Sequence, residues 1–180
     1  MKKHIAIVGN HTDNLLSMLM SVIPEDQAEI KAIRYNEAFM NESFVPDIVV
    51  FVDYHRIDNE YYIKIREKYK DKIILINADN DFLFEELASV DGREKESYSI
   101  DCSWRTFFAA EICKDEEDQA YSYEYYSYKE SRGEKVRFSC GSRDLSDSLA
   151  VLAICEMIDI NIYHAARCLE NYFQKRSLWD

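Results

Sequence analysis

The sequence has few of the residues that interrupt chain regularity: four glycines and two prolines in 180 residues. Pro24 and Pro46 both stand before strand candidates, where a missing amide disturbs nothing. There is no C-x-x-C pair. Five cysteines, Cys102, Cys113, Cys140, Cys155 and Cys168, form an odd set that fits reduced thiols in a core better than a disulfide frame or a zinc site. No apolar run is long enough to cross a bilayer, and the two N-terminal lysines lead into a strand pattern rather than the apolar segment of a signal peptide. A cytoplasmic protein without a membrane partner is expected. Positive charge is also scarce. Lys plus Arg number 22 against 34 for Asp plus Glu, a formal charge of -12, and that field repels polyanions, so nucleic acid is not an expected partner. Low-complexity linkers and internal repeats are absent too. With 47% apolar residues the length suits one core, and 1-180 is read as a single domain.

What is present begins with alternation between strand and helix signals. "HIAIV", "AEIKAIRY", "DIVVFV" and "KIILIN" read as strands, three of them short apolar runs of the kind covered on both faces of a parallel sheet. Helical patterns run from Asp13 to Ile23, from about Asn59 to Tyr69 and from Phe82 to Ala88. Thr12 or Asp13 can cap the first and Asn80 or Asp81 the last, since their oxygens can accept from free amides of the opening turn. Residues 1-97 therefore predict the parallel part of an α/β fold.

The second half changes period. "RTFFAAEIC", "QAYSYEYYSYK" and "KVRFSC" are strand-like, with a tight turn marked by Gly133, and predict a small antiparallel subsheet over 98-140. Tyr121, Tyr123 and Tyr125 alternate with Ser122, Glu124 and Tyr126, as in a sheet with one solvated face. "DLSDSLAVLAICEMI" and "NIYHAARCLENYFQKR" predict two closing helices over 141-180, with Asp144 or Ser146 as cap of the first. The fold class is α/β, a mostly parallel sheet flanked by helices with Rossmann-like, P-loop-type architecture.

The order of these elements resembles the central, ATP-binding domain of the Mur ligases and folylpolyglutamate synthetases. "IAIVGNHTDNLLSML" lies where that family has its strand, phosphate loop and first helix. "PDIVVFVDYHRID" is similar to the strand leading to the family's aspartate-histidine-leucine-aspartate segment, with His55 and Asp58 as partial matches. "ILINADND" is similar to its asparagine-alanine-aspartate-aspartate stretch, which places Asn77, Ala78, Asp79 and Asp81. "CGSRDLSDSLAVLAICEMIDI" resembles the start of the adenine-contacting helix: Gly141 matches, whereas Arg143, Asp144 and Asp147 replace a histidine and two asparagines. The resemblance implies a chain connected with ligases that join an amino acid to a carboxylate through an acyl phosphate.

The departures bear on activity. A phosphate loop needs glycines that let backbone amides converge, a lysine that neutralises the phosphates and a hydroxyl for magnesium. Here Gly9 is followed by Asn10 and His11, and then Thr12 falls at the second glycine, Asp13 at the lysine and Asn14 at the hydroxyl. A carboxylate about 4 Å from a phosphate is unfavourable by about 4 kcal/mol at surface-like dielectric, so neither ATP nor magnesium is an expected cofactor. The segment from Ile23 to Pro46 is too short for the family's glutamate-bearing magnesium loop, and no counterpart of its modified lysine is identified. Nor is a C-terminal amino-acid-binding domain present in the sequence. The resulting expectation is a non-catalytic, UDP-N-acetylmuramyl-peptide-synthase-like binding or interaction protein, without amide ligase activity.

Two other readings stand beside it. Asp53 at the end of "DIVVFV" would suit the phosphoacceptor of a receiver domain, although no acidic pair follows the first strand; alternatively the chain is a ligase subunit that a partner completes. In an open parallel sheet the ligand end lies beyond the carboxyl ends of the strands. Gly9, Asn10, His11, Asp53, His55, Asn77 and Asp79 should meet there. Asp53, His55, Asp58 and Asp79 either hold a hard divalent cation or cap helices and strand-end amides. Tyr172 and Phe173 suit either the domain's own core or an interface, and Leu178 and Trp179 are the better candidates for contact with a protein partner or a second copy.

Overall fold

The computed structural model describes residues 1–34, 43–53, 64, 67–88, 95–115, 120–129, 132–138 and 142–176. Among them, eight strands form one sheet: β1 (Lys3–Val8), β2 (Ala28–Ile33), β3 (Ile48–Phe51), β4 (Ile73–Asn77), β5 (Lys95–Ser99), β6 (Phe107–Asp115), β7 (Ala120–Ser127) and β8 (Arg132–Phe138). Their spatial order is β2-β1-β3-β4-β5-β6-β7-β8. Pairing is parallel from β2 through β6 and antiparallel from β6 to β8. The described helices are α1 (Asp13–Val22), α2 (Asp81–Ala88), α3 (Ser142–Met157) and α4 (Ile162–Arg176).

The apolar runs behave as parallel strands should, because successive side chains serve opposite faces and both faces are covered. On β1, Ile5 and Ile7 pack with Leu15, Met18 and Leu19 of α1 and with the buried runs of α3 and α4, whereas Ala6 and Val8 pack with Val49, Ile74, Leu83 and Leu87 on the other face. Tyr123 and Tyr125 of β7 join the first of these cores, which bears out the alternation in the tyrosine run. Each such side chain gains about 1.5 to 3 kcal/mol from full burial.

Several expectations are corrected. β5 was not anticipated, because "KESYS" is polar, yet all but its first residue are buried. Gly133 lies within β8 opposite Tyr126, not in the turn, which includes Tyr128 and Lys129. Thr12 is the N-cap of α1 but makes no side-chain cap bond, and α3 begins at Ser142, so Asp144 and Ser146 lie inside it. Asn80 does cap α2, its Oδ1 accepting from the Leu83 amide at 3.1 Å. The helix expected over Asn59 to Tyr69 falls mostly outside the described residues, with 64 and 67–69 helical.

β5 and β6 are parallel but share only the pairs Tyr98↔Phe107 and Ser99↔Phe108. β6 therefore starts where β5 ends and carries the antiparallel part past the carboxyl end of the parallel sheet.

Candidate functional site

The sheet order places β2 on one side of β1 and β3 on the other, so the chain reverses direction across the sheet at β1/β3. The turns leaving those two strands diverge at such a point and open a crevice. Gly9, Asn10 and His11 leave β1 there, and Asp53 follows β3.

The two turns are joined by one carboxylate. Asp53 Oδ1 accepts from the Asn10 amide at 2.9 Å, and Asp53 Oδ2 accepts from the His11 amide at 3.0 Å and lies 2.9 Å from His11 Nδ1. Consecutive amides aimed at one point are how a loop of this kind cradles an anion. In this chain the anion is the chain's own. Gly9 allows the approach, because a Cβ there would stand 2.5 Å from Val52 Cγ2 and 2.7 Å from Asp53 Oδ1. Asp13, in the first turn of α1, adds a second negative charge.

Asn14, the next residue of α1, ties three helices together. Its Nδ2 donates to Asp144 Oδ1 at 2.9 Å and to Asp147 Oδ2 at 2.6 Å, both in α3, while Arg176 at the end of α4 donates to Asn14 Oδ1 at 3.2 Å and Asp144 Oδ1 at 3.0 Å. Asp144 and Asp147 thus have protein partners at the positions where the resemblance places adenine-contacting groups.

Asn77 and Asp79 close the ends of β4 and β5. Asn77 Nδ2 donates to the Val52 carbonyl at 3.0 Å and its Oδ1 accepts from the Asp79 amide. Asp79 accepts from the Ser99 hydroxyl and, at 3.0 Å, from the Ile100 amide. Asp53 and Asp79 each accept from backbone amides at the carboxyl ends of the strands. Among the described residues no three His, Cys, Asp or Glu side chains are grouped to hold a metal ion. His55, Asp58 and Gly141 lie outside the described residues, as do Leu178 and Trp179, and Arg143 is placed only as part of α3.

The sequence reading missed Tyr98, Ser99 and Arg176. Tyr98 is fully buried between the sheet and α3, with its hydroxyl beside that of Ser146, and among the described residues neither hydroxyl has a well-formed hydrogen bond. Burial pushes the Tyr98 pKa well up, and the carboxylates of Asp147, Asp79 and Asp53 push it further. Only recognition of β5 as a strand would have placed Tyr98 and Ser99 at this end of the sheet.

A doubly wound sheet with an amide-lined turn at its switch point defines the class as an open α/β scaffold whose crevice lies beyond the carboxyl ends of its parallel strands. Comparison with solved structures makes the type specific, and the fold is that of the Mur ligases. The chain is similar to the UDP-N-acetylmuramoyl-L-alanyl-D-glutamate--2,6-diaminopimelate ligase (TM-score 0.68, 10% identity, 94% of this chain and 46% of that one). It is similar to UDP-N-acetylmuramate-alanine ligase MurC from Thermotoga maritima (0.69, 13%, 94% and 45%) and to the UDP-N-acetylmuramate:L-alanyl-gamma-D-glutamyl-meso-diaminopimelate ligase of Neisseria meningitides (0.68, 15%, 94% and 65%). The chain thus spans about half to two thirds of the length of these structures. No family model and no curated protein matches it. No described helix is long and apolar enough to cross a membrane.

Proposed function

We infer that the chain is a non-catalytic Mur ligase-like protein that binds a partner or a small ligand and has lost ATP-dependent ligation. The observation that carries this reading is Asp53 seated on the Asn10 and His11 amides. A nucleotide phosphate in the manner of a phosphate loop would need those amides, and would meet the Asp53 carboxylate in place of an ammonium. At about 4 Å and surface-like dielectric that contact is unfavourable by about 4 kcal/mol, and Asp13 adds to it. The solved proteins of this fold are named for UDP-N-acetylmuramate substrates, which supports a setting in peptidoglycan metabolism.

Calorimetry with ATP and magnesium tests the reading. Binding should be no tighter than about 100 µM, equivalent to about 5.5 kcal/mol. A tighter constant would overturn it. Asp53→Ala with Asp13→Lys should then improve phosphate binding over the parent chain, because it frees two amides and supplies the cation.

A further inference from the structure

In a chain with 34 acidic side chains against 22 basic ones, a cation near the surface readily meets a carboxylate. Lys129 meets Glu96 at 2.6 Å and Arg176 meets Asp144 at 3.0 Å. Arg105 has no carboxylate partner among the described residues, and its Nε is buried without a hydrogen-bond acceptor. Its guanidinium carbon instead lies 3.7 Å from the centroid of the Phe84 ring on α2. The lysine contacts with aromatic rings at Tyr69, Phe44 and Tyr121 are 5.5 to 5.9 Å long. At 3.7 Å the group is in van der Waals contact over the ring, so one face of the fork is covered and its orientation is held.

The loop that carries Arg105, residues 100–106, is fastened at both ends. The Ile100 amide donates to Asp79, and the Asp101 and Cys102 amides donate to Ser99 Oγ at 3.1 and 2.8 Å. The Tyr128 hydroxyl donates to the Ser103 carbonyl at 2.9 Å, and the Tyr128 amide to the Thr106 carbonyl at 3.0 Å. Even so, this anchored loop leaves Trp104 85% exposed. A stacked arginine loses little freedom when its donors engage a two-oxygen acceptor. Trp104 is the residue before it in the chain and stands open to solvent on the same anchored loop. Tryptophan and arginine together are the side chains most often found to carry binding energy.

We propose that Arg105, held over Phe84 on this loop, anchors an oxyanion-binding site that takes a carboxylate or phosphate borne on a body with a flat apolar face, for which the exposed indole of Trp104 on the same loop supplies apolar surface. The site uses neither Asp53 nor the turn after β1, so its test is separate from that of the nucleotide loop.

The chain has two tryptophans, so Trp179→Phe leaves Trp104 as the sole indole reporter. That variant is titrated with phenyl phosphate and with benzoate at constant ionic strength, and its fluorescence is read. A saturable change is expected below about 20 mM, with the tighter of the two probes assigning the phosphate or the carboxylate source. Arg105→Gln in the same background should weaken binding at least about tenfold, and Arg105→Lys should weaken it several-fold, because the charge remains but the planar fork is lost. No saturable change with either probe, or titrations of both Arg105 variants that match the parent, would overturn the proposal. If Arg105→Gln melts early by circular dichroism, Arg105→Lys decides: weaker binding supports the site and unchanged binding removes it.

Discussion

Gly9 owes its place to what stands opposite it. Its missing Cβ leaves room for Val52 and the Asp53 carboxylate, so Gly9→Ala forces one of them to move. Overpacking of this kind typically destabilises by about 1 to 3 kcal/mol, which chemical unfolding would read as a lower midpoint. Asp53 itself has both oxygens in use, with three donors between 2.9 and 3.0 Å. It is therefore a poor phosphoryl acceptor, and acetyl phosphate with magnesium should leave the intact mass unchanged in the parent and in Asp53→Asn alike. A gain in mass that Asp53→Asn abolishes would restore the receiver reading. The meeting of Gly9, Asn10, His11 and Asp53 could be read from sequence, because residues that follow parallel strands share one end of the sheet. The identity of the loop's occupant could not, since it depends on the register of β1 against β3. A single glycine and a misplaced aspartate hinted at it.

Among elements, the three helices on the Tyr98 face are joined by one polar knot, with Asn14 of α1 lying between Asp144 and Asp147 of α3 and reached by Arg176 of α4. Asn14→Ala removes the donor that separates two carboxylates. It should lower stability by about 1 to 2 kcal/mol, and more at low salt than at high, whereas an unchanged melting profile would show the knot to be dispensable. β5 depends on a different polar contact. Glu96 is 7% exposed and Lys129, itself partly in water, lies 2.6 Å from it, so Lys129→Met leaves a buried carboxylate without this cation, at a loss of about 1 to 2 kcal/mol. That pairing also explains why the strand was illegible: "KESYS" lacks the apolar signature, and its buried Glu96 and Ser99 are met by Lys129 and Asp79 from elsewhere in the chain. Gly133 misled for the converse reason, since glycine marks a turn by its own preference, but here its partner across the ladder, Tyr126, decides.

For the whole molecule, the buried tyrosines set the alkaline limit. Burial raises the pKa of Tyr98, and burial with the adjacent Glu156 carboxylate raises that of Tyr125. Above the ordinary tyrosine pKa of about 10, the unfolded chain releases protons that these two retain, so the folded state holds more protons and stability falls as pH rises. The loss approaches about 1.4 kcal/mol per pH unit for each group well above that pKa. Tyr98→Phe should reduce the loss of unfolding free energy between about pH 9 and 11, read from urea titrations, by about 1.4 kcal/mol over the whole interval, and an undiminished loss would contradict the assignment. Of the two roles open to Phe173 and Tyr172, core or interface, Phe173 takes the core, being 2% exposed, and Tyr172 packs against it. Truncation after Ser177 should therefore leave thermal stability nearly unchanged while reducing any association seen by ultracentrifugation. Lost stability with unchanged assembly would reject the proposal for Leu178 and Trp179.

The Asn14 to Asp144 bond spans 130 residues, and that distance orders events in time as well as space. A ribosome completes β1, α1 and every strand of the sheet before it makes the helices that cover Ile5, Ile7, Leu15, Met18 and Leu19. At about 5 to 20 residues per second the apolar face of the sheet stays open for seconds, while the hairpins of β6 to β8 can already close locally. The nascent chain is thus most exposed to aggregation just before its last core helices emerge, and a fragment ending at residue 140 should collect in the insoluble fraction.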